Sequence, residues 1–180
     1  DIDLQHLDVS KLRSHFAYVP QEISLLRGSL RENILLKHEC ASVEELSKVL
    51  HMACLDDFVQ THPMGVDMPI GEQGKGLSGG QKQSVAIARA MINQPDLFLF
   101  DELSAAMDNQ TEQEVIQNIK ALTKDKTVIL STHRSSLLSL VDRIIVMDAG
   151  KIVADGAKEK VLDALKRGLI NTSNSDVKKG

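Results

Sequence analysis

A glycine-rich helix start and an apolar strand ending in two carboxylates lie about twenty residues apart in this chain, between Leu77-Ser78-Gly79-Gly80-Gln81 and Phe98-Leu99-Phe100-Asp101-Glu102. The Ser78-Gly79-Gly80 turn presents backbone N–H groups at a helix N-terminus, where they and the macrodipole favour an anion. Leu97 to Phe100 is a short apolar run bounded by Pro95 and the carboxylates, the pattern of a central parallel strand buried on both faces. Such a strand delivers its last side chains, here Asp101 and Glu102, to the cleft at the carboxyl edge of its sheet. An anion site and paired carboxylates so placed suit a nucleoside triphosphate.

The flanking sequence supplies the rest of an α/β pattern. Phe16 to Val19 reads as a buried strand stopped by Pro20, with Gln21 at its C-terminal end. From Ser29 to about Gln60, Leu30, Asn33, Ile34, Val43, Leu46, Val49 and Leu50 recur at helical spacing, which predicts two or three short helices closed by Pro63 and Gly65. Ser78 followed by Gln81 is a capping box for the helix that ends at Asn93-Gln94-Pro95. Val128 to Leu130 reads as a second doubly buried strand, joined to the first by an amphipathic crossover helix over Glu112 to Leu122. Arg143 to Met147 and Lys151 to Ala154 form a hairpin through Asp148-Ala149-Gly150, a helix follows over Lys158 to Lys166, and a disordered polar tail runs from 171 to 180.

Composition narrows the function classes. At 180 residues with 42% apolar and 26% charged residues, the chain suits a globular domain with one main core. A net charge of −4 without a dense basic stretch argues against nucleic acid as a partner. No run approaches the eighteen or so apolar residues of a spanning helix. Cys40 and Cys54 form neither a CxxC pair nor a disulfide framework, and read as small packing residues. His6, His15, His38, His51 and His62 lack metal-ligand spacing and read as surface residues.

Leu77 to Gln81 match the LSGGQ signature letter for letter, and Leu97 to Glu102 match a Walker B strand followed by a glutamate. On these residues the chain resembles an ATP-binding-cassette ATPase. The resemblance covers residues 3 to about 167 and implies a P-loop NTPase (RecA-like) parallel sheet core with an inserted helical subdomain. It corresponds to the later part of such a domain, so the core is incomplete. The implied division is the end of a first core segment with the Q-loop (1–28), a helical subdomain with the signature helix (29–94), a catalytic core (95–170) and the tail.

ATP and Mg²⁺ are the implied cofactors. By resemblance Asp101 holds the metal, Glu102 polarises the attacking water, and His133, in Ser-Thr-His-Arg past the second strand, contacts the γ-phosphate. Taken alone, His133 would read as a surface histidine. Gln21 matches the Q-loop glutamine, which reaches both metal and water. Leu77, Ser78, Gly79, Gly80, Gln81 and Asp108 are the implied nucleotide-binding residues, with Ser78, Gly79 and Gly80 gripping the γ-phosphate of ATP held by an opposite subunit, so the implied active unit is a head-to-tail dimer with two composite sites. The D-loop position reads Ala105-Ala106-Met107-Asp108 where Ser-Ala-Leu-Asp is usual; Asp108 is kept and a hydroxyl is lost at Ala105. Ser78 is then wanted both by its own helix and by phosphate.

No GxxxxGK[ST] loop occurs in the 180 residues, although this loop supplies the lysine and backbone N–H groups that hold β- and γ-phosphates. The first methionine is Met52, so Asp1 is expected to follow upstream sequence. The chain alone is expected not to bind ATP tightly, and lacking core strands it is expected to self-associate. The short interval from Gln21 to Leu77 has no room for a long coiled coil. Ser29-Leu-Arg-Glu-Asn-Ile and Gly71-Glu72-Gln73-Gly74 resemble exporters, bacterial type I protein-secretion ATPases most of all. In those Glu72 would meet the intracellular ends of transmembrane domains at the cytoplasmic face of the inner membrane, and Ser84 stands where arginine is frequent. A soluble non-transport cassette ATPase and a catalytically incompetent remnant are the rival readings.

Overall fold

The structure, a computed structural model, describes residues 6, 8–36 and 41–170; Cys40, His38 and the tail from 171 lie outside them. The described chain forms two compact units, one up to His133 and one from Arg134.

The first unit is built on three parallel strands in the order β1 (Phe16–Val19), β4 (Leu97–Asp101), β5 (Thr127–Ser131). Between β1 and β4 come a two-residue antiparallel pairing of β2 (Gly28–Ser29) with β3 (Pro69–Ile70) and the helices α2 (Leu30–Leu35), α3 (Val43–Met52), α4 (Asp56–Thr61) and α5 (Gly79–Met91). A short helix α1 (Val9–Ser14) precedes β1, and α6 (Asn109–Leu122) crosses from β4 to β5. The helical lobe thus holds three short helices, α2 to α4, where its periodicity predicts two or three. Ser29 with Glu32 and Ser42 with Glu45 each form a complete capping box, which fixes where α2 and α3 begin.

α2 and α3 pack against α5, and α3 also against α6. Leu30, Ile34, Val49, Leu50, Val85, Ile87, Met91 and Ile119 are buried. Helix α6 starts at Asn109, earlier than its apolar stripe, because the Asp108 side chain accepts from the Gln110 and Thr111 backbone N–H groups and stabilises a first polar turn.

The expectation of strands buried on both faces is corrected. Ala17, Val19, Phe98 and Phe100 are buried on the face that carries α5. Tyr18, Leu99 and Ile129 lie side by side in register on the other face, and Tyr18 and Ile129 are 59% and 58% exposed. Side chains alternate between the two faces: on β4 Leu97 and Leu99 are half-buried, and on β5 Val128 and Leu130 are half-buried while Ile129 is exposed. A row of exposed apolar residues favours association between copies. We expect sedimentation to show a concentration-dependent increase in mass that Ile129→Lys reduces; a monomer at all concentrations with a sharp melt contradicts this.

The second unit pairs β6 (Arg143–Asp148) with β7 (Lys151–Ala157) as an antiparallel hairpin followed by α7 (Lys158–Lys166). The loop residues Ala149 and Gly150 both have positive φ, as a two-residue type I′ hairpin loop requires. Arg143 and Asp155 meet across the hairpin through two bonds of 2.7 Å. The expected hairpin and helix are present, with β7 running three residues further than its apolar pattern.

Candidate functional site

Parallel pairing of β1, β4 and β5 brings their carboxyl ends to one edge: Val19 is level with Phe100, and Asp101 with Ser131. Gln21, Asp101, Glu102 and His133 each lie within two residues of such an end. The topology therefore assembles at one sheet edge four residues that the sequence scatters over more than a hundred positions.

Glu102 and His133 are joined directly, Nδ1 to Oε1 at 2.9 Å. The Glu102 side chain is 14% exposed and the His133 ring 79%, so the pair has a buried carboxylate end and an open imidazole end. Oε2 of Glu102 is buried and has no partner among the described residues, an arrangement that costs free energy unless a donor arrives. Glu102 also has φ of 51°, in the left-handed region, and its backbone N–H is held by the Ser131 carbonyl at 3.0 Å. Strain and an unsatisfied buried oxygen in one residue are marks of a functional position.

Asp101 closes β4 half-buried, and no hydrogen bond or ion pair engages its carboxylate among the described residues. Gln21 is exposed beyond Pro20. An open carboxylate and a side-chain amide form a hard oxygen set that fits Mg²⁺, which takes one or two protein oxygens and keeps waters and phosphate oxygens as its other ligands. Among the described residues no group of three or more His, Cys, Asp or Glu side chains is placed to hold a metal ion.

At the start of α5 the sequence-predicted cap is present in full. Ser78 Oγ accepts from the Gln81 N–H at 3.1 Å, and Gln81 Oε1 accepts from the Ser78 N–H at 2.8 Å. Leu77 is half-buried while Ser78 and Gly79 are exposed, so the helix start faces solvent. Gly79 and Gly80 lie against Ala106: a Cβ on Gly79 would come within 3.1 Å of the Ala106 Cβ, and one on Gly80 within 3.2 Å of its carbonyl oxygen. Just upstream, Glu72 is exposed in a short 3-10 turn, and Gly74, at φ of 73°, sits against Leu25 and Lys82.

Asp108 is committed within its own chain. Oδ1 accepts from the Gln110 and Thr111 N–H groups at 3.0 Å, and Oδ2 accepts from the Thr111 hydroxyl at 2.7 Å. The Thr111 backbone donor, then its hydroxyl, hold the Asp108 carboxyl below the usual carboxylate range. With the folded pKa below the unfolded one, the cap stabilises above about pH 4 and that contribution is lost as pH falls through the folded value. Amide exchange in the first turn of α6 should therefore be steady from neutral to about pH 5 and accelerate, relative to the intrinsic rate, below about pH 4. An unchanged protection factor down to about pH 2 overturns this.

Two residues carry more than the sequence reading gave them. Asn33 is fully buried; its Oδ1 accepts from the Leu26 N–H at 2.8 Å and its Nδ2 donates to the Leu26 and Ser29 carbonyls. Arg89, in the last turns of α5, donates to the Asn33 carbonyl at 2.7 Å and to Asn33 Oδ1 and the Ser24 carbonyl at 3.3 Å. Together they tie the segment after Gln21 to the signature helix. The signal was an arginine inside an otherwise apolar helical stripe. Desolvation lowers the Arg89 pKa, and Cys54, half-buried and beside Glu114, is pushed up to about 12, chiefly by burial, which fits a packing role.

The ABC transporter family pattern matches residues 1–105. An export ATP-binding/permease protein of Rickettsia bellii is 37% identical over 160 residues, which are 89% of this chain and 28% of that protein. Leukotoxin translocation ATP-binding protein LktB of Mannheimia glucosida is 41% identical over 160 residues, 89% of this chain and 23% of that protein. The chain spans about a quarter of the length of these curated relatives. A solved bacterial Atm1-family ABC exporter with ATP bound superposes with a TM-score of 0.84 at 32% identity, over 94% of this chain and 31% of that one.

Proposed function

The chain belongs to the ABC transporter family, and on that premise we propose that it is the later part of an exporter's ATPase domain, in which ATP binding and hydrolysis at a head-to-tail dimer drive export across the inner membrane. The observation that carries this is Glu102, with one carboxylate oxygen held by His133 and the other buried without a partner among the described residues. Glu102 Oε2 accepts a hydrogen bond from the attacking water and takes its proton, as general-base catalysis requires. His133 keeps the carboxylate oriented through Nδ1 and offers the far side of its exposed ring to the γ-phosphate. Magnesium, when bound, neutralises charge on the phosphate oxygens, and Asp101 with Gln21 would hold it. Leu77 to Gln81 bind the phosphate of ATP seated on the opposite subunit. The 180 residues alone, without a GxxxxGK[ST] loop, do not turn over ATP.

The partners are a second ATPase domain and the exporter's transmembrane domains. The latter dock at the Gln21 loop and the Glu72 region, on the cytoplasmic face of the membrane. A cavity of about 640 Å³ on the segment after the Gln21 loop, lined by exposed Leu26 and Leu36 with Arg27, Glu32, Asn33 and Arg89, supports a mixed apolar and polar docking groove on that segment. Likeness to a leukotoxin translocation protein supports a protein or peptide cargo. A net charge of −4 is consistent with no nucleic-acid partner. The proposed domain division is 1–28, 29–94 and 95–170, the last of these running across the two compact units, which divide between His133 and Arg134.

Ser78 tests the dimer. Its hydroxyl oxygen is the acceptor of the α5 cap, and its O–H proton can at the same time donate to a phosphate oxygen, so the one side chain serves both helix and phosphate. Ser78→Ala should lower helix stability by about 1 kcal/mol and weaken ATP-driven dimerisation of the complete ATPase domain by more than about tenfold. Equal losses in the two, measured by unfolding and by sedimentation with ATP, count against the reading.

A further inference from the structure

We propose that Glu112 is a positioning residue: from inside α6 it holds Ser104, and with it the turn that keeps Glu102 placed against His133. This rests on the reading of Glu102 as the general base. Glu112, Val115, Ile116 and Ile119 form the buried stripe of α6, so a carboxylate occupies one position of an otherwise apolar helix face. It is 4% exposed. Burial to that depth costs free energy unless the group is hydrogen-bonded, and its place in the first turn of α6 is one where the macrodipole favours a carboxylate. Ser104, 1% exposed, donates its hydroxyl proton to Glu112 Oε1. A hydroxyl bonded to a carboxylate makes one of the stronger hydrogen bonds. Both ends of this one are enclosed, so neither side chain can swing out to solvent without opening the core.

Ser104 lies inside the turn that Glu102 opens. The Ala105 N–H donates to the Glu102 carbonyl at 3.1 Å, which closes a turn with Leu103 and Ser104 at its centre, and Leu103 is fully buried. On the other side, the Glu102 N–H is held by the Ser131 carbonyl of β5 at 3.0 Å. Between these two anchorages Glu102 has φ of 51°, a backbone region that persists only while its surroundings over-determine it. One anchorage belongs to β5 and the other to α6, the helix that crosses from β4 to β5. Without Glu112 the Ser104 hydroxyl loses this acceptor and the turn can relax toward an unstrained φ. The bond of 2.9 Å between Glu102 Oε1 and His133 Nδ1 is lost with it. Glu112 takes part in no proton transfer; what it supplies is a fixed acceptor.

An amide in place of the carboxyl separates position from charge. Glu112→Gln keeps a side-chain carbonyl for the Ser104 hydroxyl, whereas Glu112→Ala removes the acceptor and Ser104→Ala removes the donor. In the 180-residue chain without nucleotide, Glu112→Ala and Ser104→Ala should each speed exchange of the Glu102 and Ala105 amides by on the order of tenfold, the weight of a hydrogen bond to a carboxylate. Each should also move the His133 ring nitrogen resonances toward those of a free imidazole at fixed pH. The double variant should match either single one, because all three remove the same bond. Glu112→Gln should leave the His133 resonances at their parent values. Parent-like His133 resonances in Glu112→Ala or Ser104→Ala, additive changes in the double variant, or a Gln variant that behaves like the Ala one overturns the proposal and leaves Glu112 a stabiliser of α6 alone. If Glu112→Ala fails to fold, Ser104→Ala, which removes a single oxygen atom, decides by the same two signals. No nucleotide enters the measurement, so its failure is separate from a failure of the general-base reading, which the turnover of Glu102→Gln reports.

Discussion

Glu102→Gln in the complete exporter should lower ATP turnover by roughly 10²- to 10⁴-fold, the usual contribution of a positioned general base, while ATP affinity stays within about twofold of the parent. The substitution is nearly isosteric. Its amide can still meet His133, so the hydrogen bond at 2.9 Å is retained in kind, but the buried Oε2 position no longer holds a base. ATP-bound dimers should accumulate, because binding is intact and the step that dissolves them is blocked. Phosphate release under saturating ATP and sedimentation with ATP check both halves. Turnover above about a tenth of the parent's would remove Glu102 from the base role, and loss of ATP binding would make it a structural residue.

Phe98→Ala should cost about 3–5 kcal/mol in stability, the range for truncating a fully buried aromatic. Phe98 is 1% exposed on the covered face of β4, the middle strand of the sheet, and its ring lies 5.6 Å from that of Phe100 at a tilt of 36°. Ile129→Ala on the open face of β5 should cost within about 0.5 kcal/mol. Urea unfolding of both variants, followed by far-UV circular dichroism, makes the comparison. Similar losses would mean that the two sheet faces are equally covered in solution, against the alternation observed.

Residues whose roles are local were legible in the sequence. Ser78 and Gln81 announce the cap of α5, the Ala149-Gly150 turn announces its hairpin, and the Asp101-Glu102 ending of an apolar run announces a strand delivering carboxylates to a sheet edge. What could not be read is what depends on neighbours far along the chain. Tyr18 and Ile129 look like core residues in a list of apolar runs, and only the pairing of β1, β4 and β5 shows them sharing an open face. Asn33 and Arg89 are 56 positions apart, and no periodicity links a polar residue of α2 to a basic one of α5. The two-residue pairing of Gly28–Ser29 with Pro69–Ile70 is too short to leave a pattern. At the site itself, residue types pointed to ATP chemistry, but the unsatisfied oxygen and positive φ of Glu102 belong to geometry alone.

The fastener between the Gln21 segment and α5 is made entirely of Arg89 donors and carbonyl-type oxygens, those of Asn33 and Ser24. None of those acceptors titrates, and an arginine stays protonated at any pH a folded protein survives. Neither acid nor alkali within that range can unclip it. Because the acceptors are neutral dipoles, dissolved salt has less purchase on it than on a pair of opposite charges. Whatever pulls on the loop beyond Gln21 therefore pulls on the signature helix as well, with the same stiffness across the range of acidity and ionic strength in which the chain stays folded.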